Sequence, residues 1–176
     1  ILRFVNLNSL ISLQFQDAKT INISGKQRML SQKIYNNLIT FKINELHNNI
    51  NSMENYHKYL ISLPMSDPMK EIYFGQINEI DKKVKKYIYH AKRIRMNIED
   101  KNSMYIEIHS NNLANVFDRI TFLYQKESED KIKWISNFEI FIFISTLISL
   151  FLIGVYILKP ANDKFETRAN ELTDEK

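Results

Sequence analysis

The stretch DAKTINISGKQRMLSQKIY, from Asp17 to Tyr35, decides the fold, because it lacks proline and repeats its apolar residues at helical spacing. Positions three and four apart share a helix face. One predicted face is an apolar core stripe of Ile23, Leu30, Ile34, Leu38 and Phe41. A second stripe is small and polar around one arginine, and it consists of Ile21, Ser24, Gly25, Arg28, Ser31, Gln32 and Tyr35. The helix is therefore predicted to pack with one face and to make a different contact with the other.

Arg28 is the candidate ligand-binding residue of the second stripe. Its guanidinium presents a planar set of donors that suits a planar oxyanion. Gly25, in mid-helix, costs about 1 kcal/mol relative to alanine, and the usual benefit of such a glycine is close approach of a backbone or ligand. Helix geometry leaves a second interpretation open, in which Arg28 is a solvated surface residue and Gly25 a tolerated flaw.

The segment INISGKQRMLSQK, preceded by Asp17 and Ala18, resembles the conserved box of a sensor domain. This domain occurs in type IV pilus chemoreceptors (PilJ) and in the nitrate/nitrite sensor kinases NarX and NarQ. The matching positions are Ile21, Asn22, Gly25, Arg28, Met29, Ser31 and Lys33, while Gln27 and Leu30 are closer to the pilus branch. The resemblance covers the box strongly, and the rest of the extramembrane part only by helix layout.

The resemblance implies a dimeric periplasmic sensor, paired along the first helix, with a cytoplasmic C-terminus. It also implies that Gly25 and Arg28 contact a small anion such as nitrate or nitrite, held between the paired arginines of two protomers. From helix geometry alone, Ser24 and Ser31 would add donors on the same stripe. A first membrane span would then precede Ile1.

Composition supports a helical protein without disulfide chemistry. Only 3 glycines and 3 prolines occur in 176 residues, which favours an all-α fold. The absence of cysteine excludes a disulfide framework and thiolate chemistry. The formal charge of +4 is modest and does not indicate nucleic acid binding.

The helix layout predicts an up-down four-helix bundle with long first and last helices, in a domain covering residues 1–134. We place its helices at about 2–46, 53–63, 70–98 and 104–134. The asparagine-rich segment 47–52 is predicted to be a bend, and PMSDPM (64–69) a break between helices. The third helix has a core seam of Ile77, Ile80, Val84, Tyr87, Ala91, Ile94 and Ile98.

The last helix is predicted to continue into a transmembrane segment at 135–158. Residues 140–158 are 19 consecutive residues without a charge. At 1.5 Å per residue they span about 28 Å, close to the thickness of a bilayer's hydrocarbon core. Pro160 is expected to end or kink the span. Residues 159–176 would form a cytoplasmic juxtamembrane helix or linker to an output module.

No catalytic constellation, cofactor motif or metal-ligand spacing is recognisable, so we predict no enzyme, cofactor or metal site in these residues. The output module of the intact protein is left open between a histidine kinase, a chemoreceptor signalling domain and a nucleotide cyclase. The expected partners are a small anion, a second copy of the chain and membrane lipid.

Two other functions are compatible with the sequence. The bundle could be a membrane-anchored scaffold or chemoreceptor domain that senses a protein or an organic ligand, with Arg28 in an interface ion pair. The seven Lys/Arg residues between Lys82 and Arg95 could hold an anionic lipid or polymer. A solvated face opposite the core seam explains this basic stretch better.

Overall fold

The computed structural model describes the backbone of residues 7–94 and 100–174 and the side chains of residues 11–94 and 100–166. This part of the chain contains α-helices and no strand, so the all-α class is confirmed. The helices are α1 (Leu7–Ile39), α2 (Ile43–Ser62), α3 (Asp67–Phe74), α4 (Ile80–Lys92), α5 (Lys101–Ile153) and α6 (Lys159–Asp174). The chain divides into two compact units, residues 1–128 and 129–176.

The first unit has the up-down arrangement of a four-helix bundle. A short turn reverses the chain between α1 and α2. Ser24 contacts Thr121, and the Tyr35 hydroxyl lies 3.5 Å from the Glu107 carboxylate, so numbering rises along α1 as it falls along α5. The third rod consists of two short helices, α3 and α4, which contact each other. In this unit, α1 and the N-terminal part of α5 are thus antiparallel neighbours.

The core of this unit contains most of the apolar residues that the sequence assigned to it. Four of the five residues in the α1 core stripe are buried: Ile23, Leu30, Ile34 and Leu38. On α4 the buried members of the predicted seam are Ile80, Val84, Tyr87 and Ala91. Both stripes therefore face the same interior, and their burial is the main stabilising contribution to the bundle.

The prediction that Phe41 belongs to the α1 core stripe is wrong, because α1 ends at Ile39 and not near Leu46. The Lys42 N–H bonds to the Asn37 carbonyl and the Phe41 N–H to the Leu38 carbonyl. This bonding is a Schellman motif, which places Phe41 in the left-handed region with φ of 55°. The chain then turns, and the Phe41 side chain is left 53% exposed.

The bend predicted at residues 47–52 is also wrong, because this segment lies within α2. Leu46, Ile50 and Met53 follow each other at intervals of four and three, and all three are buried. Their burial against the core outweighs the weak local preference of the asparagines for turns. The predicted helices 2–46 and 53–63 are therefore replaced by α1 and a longer α2.

The predicted third helix, 70–98, is broken in the middle. Gly75 is the C-cap of α3 with φ of −66° and ψ of 154°, and Glu79 precedes α4 with a left-handed φ of 44°. Ile77 lies in the intervening turn and is 86% exposed, so its helical spacing from Ile80 was coincidental. The last predicted seam residue, Ile98, lies outside the described residues.

The break at PMSDPM is shorter than predicted. Ser66 caps α3, because its hydroxyl accepts a hydrogen bond from the Met69 N–H at 3.3 Å. Pro68 lies in the first turn of α3, where its missing N–H would have no helical acceptor. Pro64 therefore separates two helices, whereas Pro68 begins one.

The second unit contains the apolar part of α5, a π-helical turn (Gly154–Leu158) and α6. The helical stretch Lys101–Glu166 is long and apolar enough to cross a membrane, and none of its most apolar window is buried. The helix does not end at Pro160. The Lys159 N–H bonds to the Gly154 carbonyl five residues earlier, so a wider turn comes directly before the proline and α6 continues beyond it.

Candidate functional site

Arg28 lies on the surface of α1 and is bound to a carboxylate of α5. Its Nη1 is 2.6 Å from Oδ1 of Asp118, and the two side chains are 53% and 63% exposed. An ion pair this exposed contributes about 0–1 kcal/mol to stability. The guanidinium is therefore accessible, and the carboxylate that holds it could be exchanged for another anion at little cost.

Gly25 provides open space beside Arg28. A Cβ built on Gly25 would meet no heavy atom of this chain within 4 Å, apart from the adjoining helix backbone. Packing inside the protomer therefore does not require a glycine at this position. The mid-helix cost of Gly25 is unexplained within one protomer, and a contact from outside would explain it.

Ser24 and Ser31 lie on the buried edge of α1 and do not share the surface of Arg28. Both are essentially fully buried. The Ser24 hydroxyl is 2.9 Å from Thr121 Oγ1, and the Ser31 hydroxyl donates to the Arg28 carbonyl oxygen at 2.7 Å. The predicted polar stripe is divided, because α5 contacts its edge at Ser24 and α4 contacts it at Ser31. Their hydroxyls join α1 to the bundle or to its own backbone.

Two further contacts hold this part of α1 in place. The Tyr87 hydroxyl donates to the Ser31 carbonyl oxygen at 2.7 Å, which ties α4 to α1. The buried Gln27 amide donates to the Met53 carbonyl oxygen at 2.8 Å, which ties α2 to α1. Gln27 Oε1 has no hydrogen-bond partner among the described residues. The conserved-box segment (residues 21–33) is therefore positioned by polar contacts from α2, α4 and α5.

The solvent side of α1 carries a second periodic pattern that the sequence analysis missed. Its positions step by four and three, and they are Ile11, Phe15, Ala18, Asn22, Gly25, Met29, Gln32, Asn36 and Ile39. All of them are exposed except Gly25, which is half-buried. We call these nine residues the outer seam. Coiled coils repeat apolar residues at this average spacing of 3.5 residues, and five of the nine outer-seam residues are apolar: Ile11, Phe15, Ala18, Met29 and Ile39.

Asp118 and Thr121 are the site residues that sequence reasoning could not find. They lie 90 and 97 positions away from their partners on α1. No local pattern marks either residue, because their role depends on the register between two helices. The outer seam, in contrast, was visible in the spacing of the first 39 residues.

Five of the six described cations in the basic stretch of α4 and the residue after it have an ion-pair or aromatic partner. Lys82, Lys85 and Lys92 form ion pairs with acids of α4 and α2 or of the preceding turn. Lys86 and Arg93 lie over tyrosine rings at about 5 Å. This arrangement favours the interpretation as a solvated face. The predicted seventh cation, Arg95, lies outside the described residues.

His57 is hydrogen-bonded to Asp81 in the interior of the bundle, away from Arg28. Its Nε2 is 2.9 Å from Asp81 Oδ1, and its side chain is 3% exposed. Burial lowers the pKa of His57, against the opposing effect of Asp81. The pKa of Asp81 is lowered: burial would raise it, but hydrogen bonds from Lys85 and His57 outweigh that effect. The pair joins α2 to α4.

The other histidines make packing and backbone contacts. The His90 ring stacks on Tyr105 and the His109 ring is tilted against it, with ring centroids 4.1 Å away in each case. His47 bonds to the Ile43 carbonyl oxygen within α2. Among the described residues, no group of three or more potential ligands could hold a metal ion.

Comparison with known families identifies the bundle. A sequence model described as the N-terminal part of the type IV pili methyl-accepting chemotaxis transducer, PilJ, matches residues 10–103. This range covers α1 from residue 10 onwards, α2 to α4, the first residues of α5 and the conserved box. The resemblance to NarX and NarQ gains no specific support from this match. Comparisons with curated proteins and with solved structures produced no significant match.

Proposed function

Because the chain belongs to the PilJ family of type IV pili methyl-accepting chemotaxis transducers, we propose that its bundle senses a small anion outside the cytoplasm. The chemoreceptor-type sensory domain of a signal transducer follows from the family. The ligand, its binding site and the membrane topology are the proposed parts. They rest on the surface of α1 and on the apolar helix of the second unit.

The membrane topology is proposed from the apolar part of α5. The stretch from 140 to 158 would cross the bacterial inner membrane, with the bundle in the periplasm and α6 in the cytoplasm. Trp134 precedes the apolar stretch, and Tyr156 and Lys159 are at its far end, which are positions that interface residues favour. The output module would follow α6 in the intact transducer.

The outer seam of α1 supports pairing with a second copy of the chain. Its apolar members at Phe15 and Met29 are 74% and 41% exposed, which is unusual for a helix that packs only within its own bundle. Gly25 lies at the middle of the seam, where it would let two helix backbones approach closely. In a symmetric pair, the seam of one protomer faces the same seam of its partner.

The single observation that carries the anion proposal is the accessible guanidinium of Arg28 beside the open surface at Gly25. Arg28 is adjacent to the outer seam, so pairing along α1 would bring two guanidiniums towards each other. A small planar oxyanion between them would neutralise their repulsion and accept charge-assisted hydrogen bonds from both. Nitrate and nitrite have this geometry and charge.

The test is calorimetric titration of the 176-residue chain in lipid nanodiscs with nitrate, nitrite, sulfate and chloride. We expect saturable binding of nitrate or nitrite at one anion per two chains. Arg28→Ala should abolish this binding. Lys42→Ala is the matched control, because it removes an exposed cation from the turn after α1 and should leave binding unchanged.

Absence of binding for all four anions, with normal helix content, would refute the anion part of this proposal. The second candidate would then be a sensor of a protein or organic ligand. Exposed apolar residues on the bundle part of α5 favour this candidate: Met104, Ile108 and Phe122 are 53%, 67% and 63% exposed. Substituting these residues, rather than Arg28, would then abolish the response.

A further inference from the structure

The Asp118 carboxylate is bound to the Arg28 guanidinium, which is the group that an anion would need. The contact joins Asp118 Oδ1 to Arg28 Nη1 alone, at 2.6 Å. The Nε and Nη2 groups of Arg28 make no hydrogen bond to any other described residue. One edge of the guanidinium thus remains open while the other is held by a carboxylate of the same chain.

This ion pair contributes little to the stability of the fold. Both side chains are more than half exposed, and exposed pairs contribute little to folding. The neighbouring Thr121–Ser24 contact already joins α5 to α1 on the buried side. The ion pair is therefore the dispensable member of the two contacts between these helices around Arg28.

We infer that Asp118 is an internal competitor that sets the anion affinity and selectivity of the Arg28 site. Its carboxylate is chemically similar to the ligand and carries the same charge. An incoming anion either displaces it from Nη1 or binds at the open edge against its repulsion. In both cases Asp118 weakens binding, so that only anions present at high concentration, or bound by two guanidiniums, reach saturation.

The same exchange connects the site to α5. When an anion replaces Asp118, α1 loses its ion pair to α5 and keeps the buried Ser24–Thr121 contact. Anion binding thus removes one specific cross-helix contact and leaves the core unchanged. This inference rests on the proposed anion function of Arg28 and assigns the regulation of that site to Asp118.

The experiment compares the 176-residue chain with Asp118→Asn in lipid nanodiscs, by titration with nitrate and nitrite. Asparagine keeps the shape of the side chain and removes its charge. We expect Asp118→Asn to bind the anion about fivefold more tightly, which corresponds to about 1 kcal/mol. The double variant Arg28→Ala/Asp118→Asn should not bind, because the gain requires the guanidinium.

Glu45→Gln is the matched control for the loss of one negative charge. Glu45 pairs with Lys42 at the start of α2 and should not affect the affinity. Helix content by circular dichroism verifies that each variant is folded.

Three results would overturn the inference. Equal affinities of the parent chain and Asp118→Asn would overturn it and leave the anion function of Arg28 intact. An equal gain in anion affinity for Glu45→Gln would assign the effect to the net charge of the chain. It would also overturn the inference and leave the anion function of Arg28 intact. Absence of binding in both the parent chain and Asp118→Asn would overturn the proposed anion function as well.

Discussion

The hydrogen bond from Tyr87 to Ser31 provides a quantitative test of how the conserved-box segment is held. Tyr87 and Tyr73 are both 0% exposed, but their hydroxyl groups differ. The Tyr87 hydroxyl donates to the Ser31 carbonyl oxygen at 2.7 Å, whereas the Tyr73 hydroxyl has no partner in hydrogen-bonding geometry among the described residues. Replacing each tyrosine by phenylalanine removes one oxygen and leaves the ring in place.

Tyr87→Phe should destabilise the protein, because it removes a buried hydrogen bond between α4 and α1. The net value of such a bond is about 1 ± 0.5 kcal/mol, and some loss comes from the Ser31 carbonyl left with one partner fewer. The total is about 1–2 kcal/mol. At roughly 2–4 °C per kcal/mol for a chain of this size, the melting temperature should fall by about 2–8 °C.

Tyr73→Phe should be neutral or stabilising, because burying an unpaired hydroxyl opposes folding. Thermal unfolding of the two variants and the parent chain, followed by far-ultraviolet circular dichroism in one detergent, measures both changes. A larger loss for Tyr73→Phe than for Tyr87→Phe would refute the reasoning. It would mean that the Tyr73 hydroxyl has a strong partner, for which the nearby Tyr124 hydroxyl is the first candidate.

Two further predictions concern acid stability and pairing. Because burial lowers the pKa of His57 below 6.5, the unfolded chain binds a proton that the folded chain excludes, so the free energy of unfolding should fall as pH drops below about 6.5. His57→Gln should reduce this fall in melts at pH 7.5, 6.5 and 5.5, and an unchanged slope would contradict the assignment. Since the chain has no cysteine, Asn22→Cys on the outer seam should form a disulfide-linked dimer upon oxidation, whereas Asn55→Cys on α2 should not. Adding Gly25→Leu to Asn22→Cys should decrease the dimer yield without unfolding the bundle, and an unchanged yield would place the pairing elsewhere.

The periodic apolar stripes were predictable from sequence because burial of a stripe determines its helix. The seam on α4 and four residues of the α1 stripe occupy the core as the spacing indicated. Segment 47–52 shows the limit of local composition. Its asparagines suggested a loop, but Leu46, Ile50 and Met53 bury a helical face, and tertiary packing outweighs weak turn preferences.

The ends of helices were less predictable because two of them depend on unusual backbone conformations. Phe41 and Glu79 both have positive φ, a region that bulky or charged side chains rarely adopt. A glycine or asparagine at these positions would have signalled the turn. The Gly75 signal was present, since it is one of only 3 glycines, but the coincidental spacing of Ile77 and Ile80 concealed it.

In the candidate site, too, some residues could be predicted from local sequence, whereas the environment of others depends on tertiary packing. Arg28 and Gly25 could be selected from the sequence, because a lone arginine and a mid-helix glycine stand out on any helix. The burial of Ser24 and Ser31 could not be predicted. Two positions seven residues apart share one line along the helix, and whether this line lies at the edge or the centre of the exposed stripe depends on where the neighbouring helices pack. The contacting helices are α5 at Ser24 and α4 at Ser31, and their contact residues are 97 and 56 positions away.

The contacts of α1 explain how a weakly bound anion could change the bundle without unfolding it. Around Arg28, α1 is joined to α5 by the exposed ion pair to Asp118 and by the Ser24–Thr121 hydroxyl contact. Each is worth about 1 kcal/mol or less, whereas a ligand with a millimolar dissociation constant supplies about 4 kcal/mol. A ligand shifts an equilibrium only by its differential affinity for two states, so the proposed exchange requires that the anion bind the state without the Asp118 contact about fivefold, or about 1 kcal/mol, more tightly. Ile34 and Leu38 are buried further along α1, so in the proposed exchange the core would keep the fold while the α1–α5 contact at Arg28 would change.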